Sequence, residues 1–232
     1  LTQLAEGYDA TGIHLEFVKI TDWPAFKLRG FMHDIGRSYI DVATIKKHID
    51  LLSRFKVNTF HWHFTENQAW RFEVKAYPEL TLSKNMTRHE GKFYTQEECK
   101  EVQEYAYERG VFIIPEIDMP GHSEAFKRAM GVDMQSAQGK VILKKILDEV
   151  GLVFDRAPYI HIGADEKATT AEYVNEMINY VKNNVGKRCM VWNPISGVSG
   201  SNTNADMCQL WSTSGTSVSG KYNIDCRYNY TN

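Results

Sequence analysis

Two rhythms of apolar residues run through this chain. Short runs rich in Val, Ile, Phe and Tyr recur along it, and between them apolar residues return every three or four positions. The runs predict strands over 27–32, 57–63, 111–117, 159–163, 188–192, 207–211 and 222–228. The intervals predict helices. Asp41 is placed to cap one whose apolar face is Val42, Ile45, Ile49, Leu52 and Phe55. Thr95 with Glu98 makes a capping box for a second, which buries Cys99, Val102 and Ala106 and stops at Gly110. A third covers residues 140–150, with Ile142, Ile146, Leu147 and Val150 on one side. Thr169 with Glu172 opens a fourth, which carries Val174, Met177, Ile178 and Val181 as far as Gly186. Residues 64–93 read as a long polar and aromatic loop, and the Ser/Gly/Asn-rich stretches 196–206 and 212–220 as loops.

Strand alternates with helix throughout, with no break in composition, which predicts a parallel α/β fold. A ring of strands is favoured over an open sheet, because polar residues with chemistry to offer follow nearly every strand and would converge only in a barrel. The glycine-rich phosphate fingerprint of a doubly wound dinucleotide binder is absent. No eighth strand is visible. The expected architecture is a (β/α)8 TIM-type barrel over 27–232, truncated before its eighth strand, behind an entry segment over 1–26.

Composition adds limits. The chain has 232 residues, 43% hydrophobic and 24% charged, which suffices for one large core. A net charge of -2 gives no reason to expect nucleic acid or an anionic membrane as partner. No apolar run is long enough to span a bilayer. The chain starts at Leu1 with no signal peptide, and is expected to be a mature protein or a fragment. Cys99, Cys189, Cys208 and Cys226 form no CxxC pair, which argues against a zinc site. The last three read as small core hydrophobes, with a disulfide left open.

The candidate chemistry lies at the strand ends. Tyr159-Ile160-His161-Ile162-Gly163-Ala164-Asp165-Glu166 opens as a buried strand and ends in two acids. A bend past Gly163 would let both face one pocket. Earlier strands present Arg29 and Asp34; then His61, His63 and Glu66; then Glu116, Asp118 and His122. Later ones present Trp192, Trp211 and either Tyr228 or Tyr230. Carboxyls, imidazoles, a guanidinium and indoles suit a sugar. Aromatic faces stack on its C–H faces, Arg and Asp bind vicinal hydroxyls, and paired carboxyls suit acetal cleavage. A second reading uses His61-x-His63 as metal ligands, completed by His122 and Asp165, in a metal-dependent hydrolase. A third is a non-catalytic sugar binder, which would have no need of a strong acid pair. Asn85-Met86-Thr87 and Asn229-Tyr230-Thr231 fit the glycosylation pattern, a triplet that arises often by chance.

Four motifs in order resemble glycoside hydrolase family 20, the β-N-acetylhexosaminidases. They are Arg29-Gly30-Phe31-Met32-His33-Asp34-Ile35-Gly36-Arg37, the run from Asn58 to Arg71 around His61-Trp62-His63, Pro115-Glu116-Ile117-Asp118-Met119-Pro120-Gly121-His122, and His161-Ile162-Gly163-Ala164-Asp165-Glu166. The resemblance implies that Glu166 is the general acid and later the base. It implies that Asp165 orients the substrate's 2-acetamido group, whose oxygen attacks the anomeric carbon in place of an enzyme nucleophile. Arg29 would grip sugar hydroxyls, Trp192 and Trp211 would line the sugar pocket, and Tyr228 or Tyr230 would bond the acetamido carbonyl. His122 would support the acid, with Glu66, His63 and Asp118 behind it. No cofactor is implied, the partner is a carbohydrate, and export (periplasmic, secreted or lysosomal) is favoured. The sequence departs from the family in having Glu66-Asn67 where many relatives have two Asp, and in a short segment between His122 and Tyr159. The family's small domain before the barrel, and its late tryptophan and acid, are not found.

Overall fold

The computed structural model describes residues 17–228 and, ahead of them, a short antiparallel ladder of Tyr8–Asp9 with Gly12–Ile13. The apolar runs form seven strands: β1 Gly30–Asp34, β2 Thr59–His63, β3 Phe112–Glu116, β4 Tyr159–His161, β5 Arg188–Asn193, β6 Met207–Leu210 and β7 Tyr222–Asp225. They pair in parallel in chain order, β1 to β7, as one curved sheet. The bounds differ from expectation by a few residues, most at β1, which starts and ends later than 27–32 because the chain joins the ladder only where Gly30 meets Thr59.

The helices are α1 Val42–Arg54, α2 Gln96–Tyr107, α3 Glu124–Met130, α4 Ala137–Val153 and α5 Ala171–Tyr180. Asp41 caps α1, its carboxylate accepting from Thr44 N–H at 2.7 Å. Thr95 and Glu98 form both halves of the capping box of α2. Two expectations change. The cap of α5 is Thr170, which accepts from Tyr173 N–H, because its hydroxyl stands three residues ahead of that donor. Helix α3 lies between β3 and α4 without having been expected, since seven residues hold too few apolar positions to show a period. Between β5 and β6, and between β6 and β7, the described chain crosses back in loops, without an α-helix.

Side chains on the outer face of the sheet meet the helices. Phe60, Trp62 and Phe64 pack with Tyr94 and Phe154 in the main core, together with Ile45, Ile49, Leu143, Ile146 and Val174. The inner face carries two layers. Ile114, Tyr159, Met190 and Met207 fill the amino end, with Leu28 and Ile224 against them. Above them the register aligns Asp34, His63, Glu116 and His161 across four neighbouring strands. All four cysteines are free. Among the described residues no helix is long and apolar enough to cross a membrane.

Candidate active site

At the carboxyl end of β4 the chain leaves the extended conformation. Gly163 has φ +70° and Ala164 φ +82°, the second unusual for a residue with a Cβ. This double turn follows a strand of three residues and swings Asp165 and Glu166 over the barrel mouth. Ser196 N–H donates to the Asp165 carbonyl at 2.8 Å, tying the turn to the loop after β5. Asp165 and Glu166 line an open cleft of about 500 Å³ with Pro194, Ile195, Ser196 and Trp211. The Trp211 indole N–H donates to the Pro194 carbonyl at 2.9 Å, which holds that ring at the cleft wall. Asp165 is 12% exposed and Glu166 57%, so one acid is set into the wall and the other projects.

His122, at φ +45°, stands between the two acids and a third carboxylate. Its Nε2 lies 3.3 Å from Glu166 Oε2 and 3.7 Å from Asp165 Oδ2, and its Nδ1 lies 2.7 Å from Glu66 Oε1. Asp165 first, then Glu66, push this imidazole up to about 11, against the opposing effect of burial. Burial also opposes the charge on Glu66. His122, the Asn67 N–H at 2.5 Å and Arg37 outweigh it and hold Glu66 below the usual carboxylate range.

Beneath this pair lies a buried carboxylate with several partners. Glu116 Oε2 is 2.6 Å from His63 Nδ1 and 2.7 Å from His61 Nε2, while Oε1 accepts from the Trp192 indole N–H at 2.7 Å. His161 Nδ1 is 3.2 Å from Oε1 and accepts from Gly163 N–H at 3.0 Å. Burial works against the charge on Glu116, but His63, His161 and His61 together keep it well below the usual range. His63 is pushed up to about 10 by Glu116 despite burial, whereas burial takes His61 down to about 4. Asp118 behaves in the opposite way to Glu116. Burial, then the charge of Asp165, push its carboxyl well above the usual range.

Three sets of side chains bring one possible metal-ligand atom each within 4.8 Å: His61–Glu116–His161, Asp34–His63–Glu66 and Asp118–His122–Asp165. In the last two the imidazole is already paired with a carboxylate, His63 with Glu116 and His122 with Glu66. The first could hold an ion, with Glu116 already engaged by His63 and Trp192. None of the three joins His61 to His63, the pairing on which the metal-hydrolase reading depended.

The structure therefore gathers Asp165, Glu166, His122, Glu66 and Trp211 at one place, with His63 and Asp118 packed behind. It does not bring Arg29 there. Arg29 precedes β1 at the amino end of the sheet, where its guanidinium donates to the Lys56 carbonyl at 2.7 Å and the Phe26 carbonyl at 2.5 Å. Trp192 is 4% exposed and packed against His61 and His161 in the barrel interior, so its indole lies off the cleft wall. Tyr228 is 80% exposed beyond the end of β7, and Tyr230 lies outside the described residues. The arginine at the site is Arg37, half-exposed and paired with Glu66 and, at 2.6 Å, with Asp34. The signal for it was the Asp34-x-x-Arg37 spacing directly after a strand. Trp70 is buried, its N–H held by the Phe72 carbonyl at 2.8 Å. Asn85 is 6% exposed and donates to the Glu79 carbonyl at 2.7 Å, so its amide is not free for a glycan; Asn229 lies outside the described residues.

A parallel β/α sheet curled so that acids from its carboxyl ends meet over one cleft defines an enzyme-type barrel site. The sequence profile of the glycosyl hydrolase family 20 catalytic domain matches residues 26–141, and the chain belongs to that family. It is 42% identical over 176 residues to a beta-hexosaminidase of Porphyromonas gingivalis, covering 64% of this chain and 22% of that protein. A beta-hexosaminidase of Vibrio furnissii is 36% identical over 194 residues, covering 68% and 32%. The crystal structure of a beta-N-acetylhexosaminidase from Bacteroides fragilis superposes with a TM-score of 0.79 at 35% identity, over 90% of this chain and 49% of that one. An exo beta-N-acetylglucosaminidase from Vibrio harveyi, solved with N-acetylglucosamine, gives 0.72 at 28% identity over 83% and 39%. The chain thus spans under half the length of each of these relatives.

Proposed function

We propose that this chain forms the catalytic part of a retaining exo-β-N-acetylhexosaminidase, which removes terminal N-acetylglucosamine or N-acetylgalactosamine by substrate-assisted hydrolysis. The observation that carries the reading is His122, one imidazole within reach of both Asp165 and Glu166 and anchored from behind by Glu66. The relatives named beta-hexosaminidase, and the Vibrio harveyi enzyme's bound N-acetylglucosamine, support the substrate class.

In this reading Glu166, the projecting acid, protonates the glycosidic oxygen and then takes a proton from water. The imidazolium of His122 steadies the carboxylate left behind. Asp165, set into the wall, holds the N–H of the 2-acetamido group while its oxygen attacks the anomeric carbon. Asp165 then stabilises the positive charge on the oxazolinium nitrogen. Trp211 offers an indole face to the sugar, and Arg37, with Asp34, offers charge-assisted hydrogen bonds to its hydroxyls in the role first expected of Arg29.

The test uses the full-length protein and aryl N-acetyl-β-glucosaminides. Glu166→Gln should slow substrates with poor leaving groups by about 10²- to 10⁴-fold, and activated aryl glycosides much less. Asp165→Ala should remove the preference for N-acetyl over 2-hydroxy sugars. An equal loss on good and poor leaving groups, or a product of inverted configuration, would overturn the assignment.

A further inference from the structure

Asp118 is a fully buried acid whose surroundings the proposed mechanism leaves unexplained. Its backbone N–H donates to Thr65 Oγ1 at 2.9 Å, and its Oδ1 faces Ala164 N–H at 3.4 Å. The carboxyl sits in the crook of the double turn, so close that a Cβ on Gly163 would fall 1.7 Å from Oδ1. Its other oxygen, Oδ2, is buried without a hydrogen-bond partner among the described residues. The same is true of Asp165 Oδ1. A carboxyl oxygen of each acid lies within 4.8 Å of the other, and His122 faces the remaining oxygen of Asp165.

Two buried carboxyl oxygens without a donor, on acids that bring one oxygen each within 4.8 Å of the other, are costly as a pair of carboxylates. A single proton removes both defects, since an un-ionised carboxyl has an O–H to give and a carboxylate can receive it. We infer that Asp118 is a positioning residue for the proposed reaction: its carboxyl donates a hydrogen bond to Asp165 and fixes the direction in which that side chain meets the acetamido group. Three further points agree. The charged groups around Asp118 are Asp165, Glu116, His63 and His122, and the first two oppose a third negative charge. Burial pushes the Asp118 carboxyl upward in the same sense. The Ala164 contact is to Oδ1, which leaves Oδ2 to carry the proton.

This inference rests on the role proposed for Asp165, and the experiment separates the two. In the full-length enzyme, Asp118→Asn keeps both functions, because its carbonyl can accept from Ala164 and its NH₂ can donate to Asp165. Asp118→Leu keeps the volume and loses the donor. Asn should retain activity to within about tenfold, and Leu should lose about 10²-fold or more on N-acetyl substrates. The residual rate on a 2-hydroxy analogue should be the same in both, a difference that general structural damage would not produce. Infrared difference spectra at neutral pH should show the band of a protonated carboxyl group in the wild type that vanishes in Asp118→Asn. If Asn is as damaging as Leu, or no such band is lost, Asp118 is ionised and the inference fails. Loss of wild-type activity on chelation, restored by a divalent cation, would put an ion between the acids and also overturn it. A wild type that shows the band yet hydrolyses no N-acetylhexosaminide would leave the hydrogen bond standing and sink the proposed function alone.

Discussion

Glu116 and its histidines set a pH window for stability. His63 carries a proton in the folded chain up to about 10, against a usual value of 6.5. Its raised value contributes stability that is complete below about pH 6.5 and is lost as pH rises toward 10. His61 is buried neutral and titrates at about 4, so it costs stability as pH falls from 6.5 toward 4. Denaturation midpoints should therefore decline on both sides of neutrality. His63→Gln leaves Glu116 short of its strongest partner, and should lower stability at pH 7 by about 3–5 kcal/mol. It should also flatten the decline between pH 7 and 10, and a variant with the wild-type alkaline slope would exclude this assignment. The sequence alone displayed His63, Glu116 and Asp165–Glu166 as candidates, because each lies at or just past the end of a strand-like run. It could not show that two histidines share one carboxylate, since that comes from the register of β2 on β3. Arg29 was preferred to Arg37 because the family resemblance assigned it the sugar hydroxyls; that its guanidinium is instead taken up by the Lys56 and Phe26 carbonyls is a tertiary contact no sequence motif displays.

At the scale of elements, the site depends on how β4 stops. A three-residue strand followed by two left-handed residues is what turns Asp165 toward the cleft. Gly163→Ala meets two obstacles: a positive φ that costs an L side chain about 1–2 kcal/mol, and the Asp118 carboxyl group 1.7 Å from the new Cβ. Gly110, just after α2, has the same φ of +70° with nothing within 4 Å of a new Cβ. Gly110→Ala should therefore lower the melting temperature by the conformational cost alone, while Gly163→Ala should lower it further and reduce activity by more than tenfold. Equal melting points would mean that Asp118 moves aside freely. Helices with caps, α1 and α2, were readable from sequence because a side chain declares where they begin. Helix α3 was not, because its Ser123 cap makes no side-chain bond and its buried aromatic, Phe126, packs against Trp70 of a distant loop.

For the whole molecule, the sheet is a curved series in which the middle strands are enclosed and the last described strand is not. Convergence of polar residues after successive strands made the barrel type legible, and the Ser/Gly/Asn-rich composition of 196–206 and 212–220 already marked the crossings that lack α-helices. The consequence for dynamics follows from burial. Strand β2 is paired on both sides and buried at every position, whereas β7 pairs only with β6 among the described residues and is exposed at three of its four. A strand edge with few buried apolar contacts opens by local fluctuation at a fraction of the global free energy. Native-state hydrogen exchange on this chain should find the amides of Thr59–His63 and Phe112–Glu116 among the slowest, opening only with the whole fold. Those of Tyr222–Asp225 should exchange at least tenfold faster, corresponding to about 1.4 kcal/mol or more. Protection of β7 equal to that of β2 would mean that β7 unfolds with the core, and that the Ser/Gly/Asn loops bind it more tightly than their exposed contacts suggest.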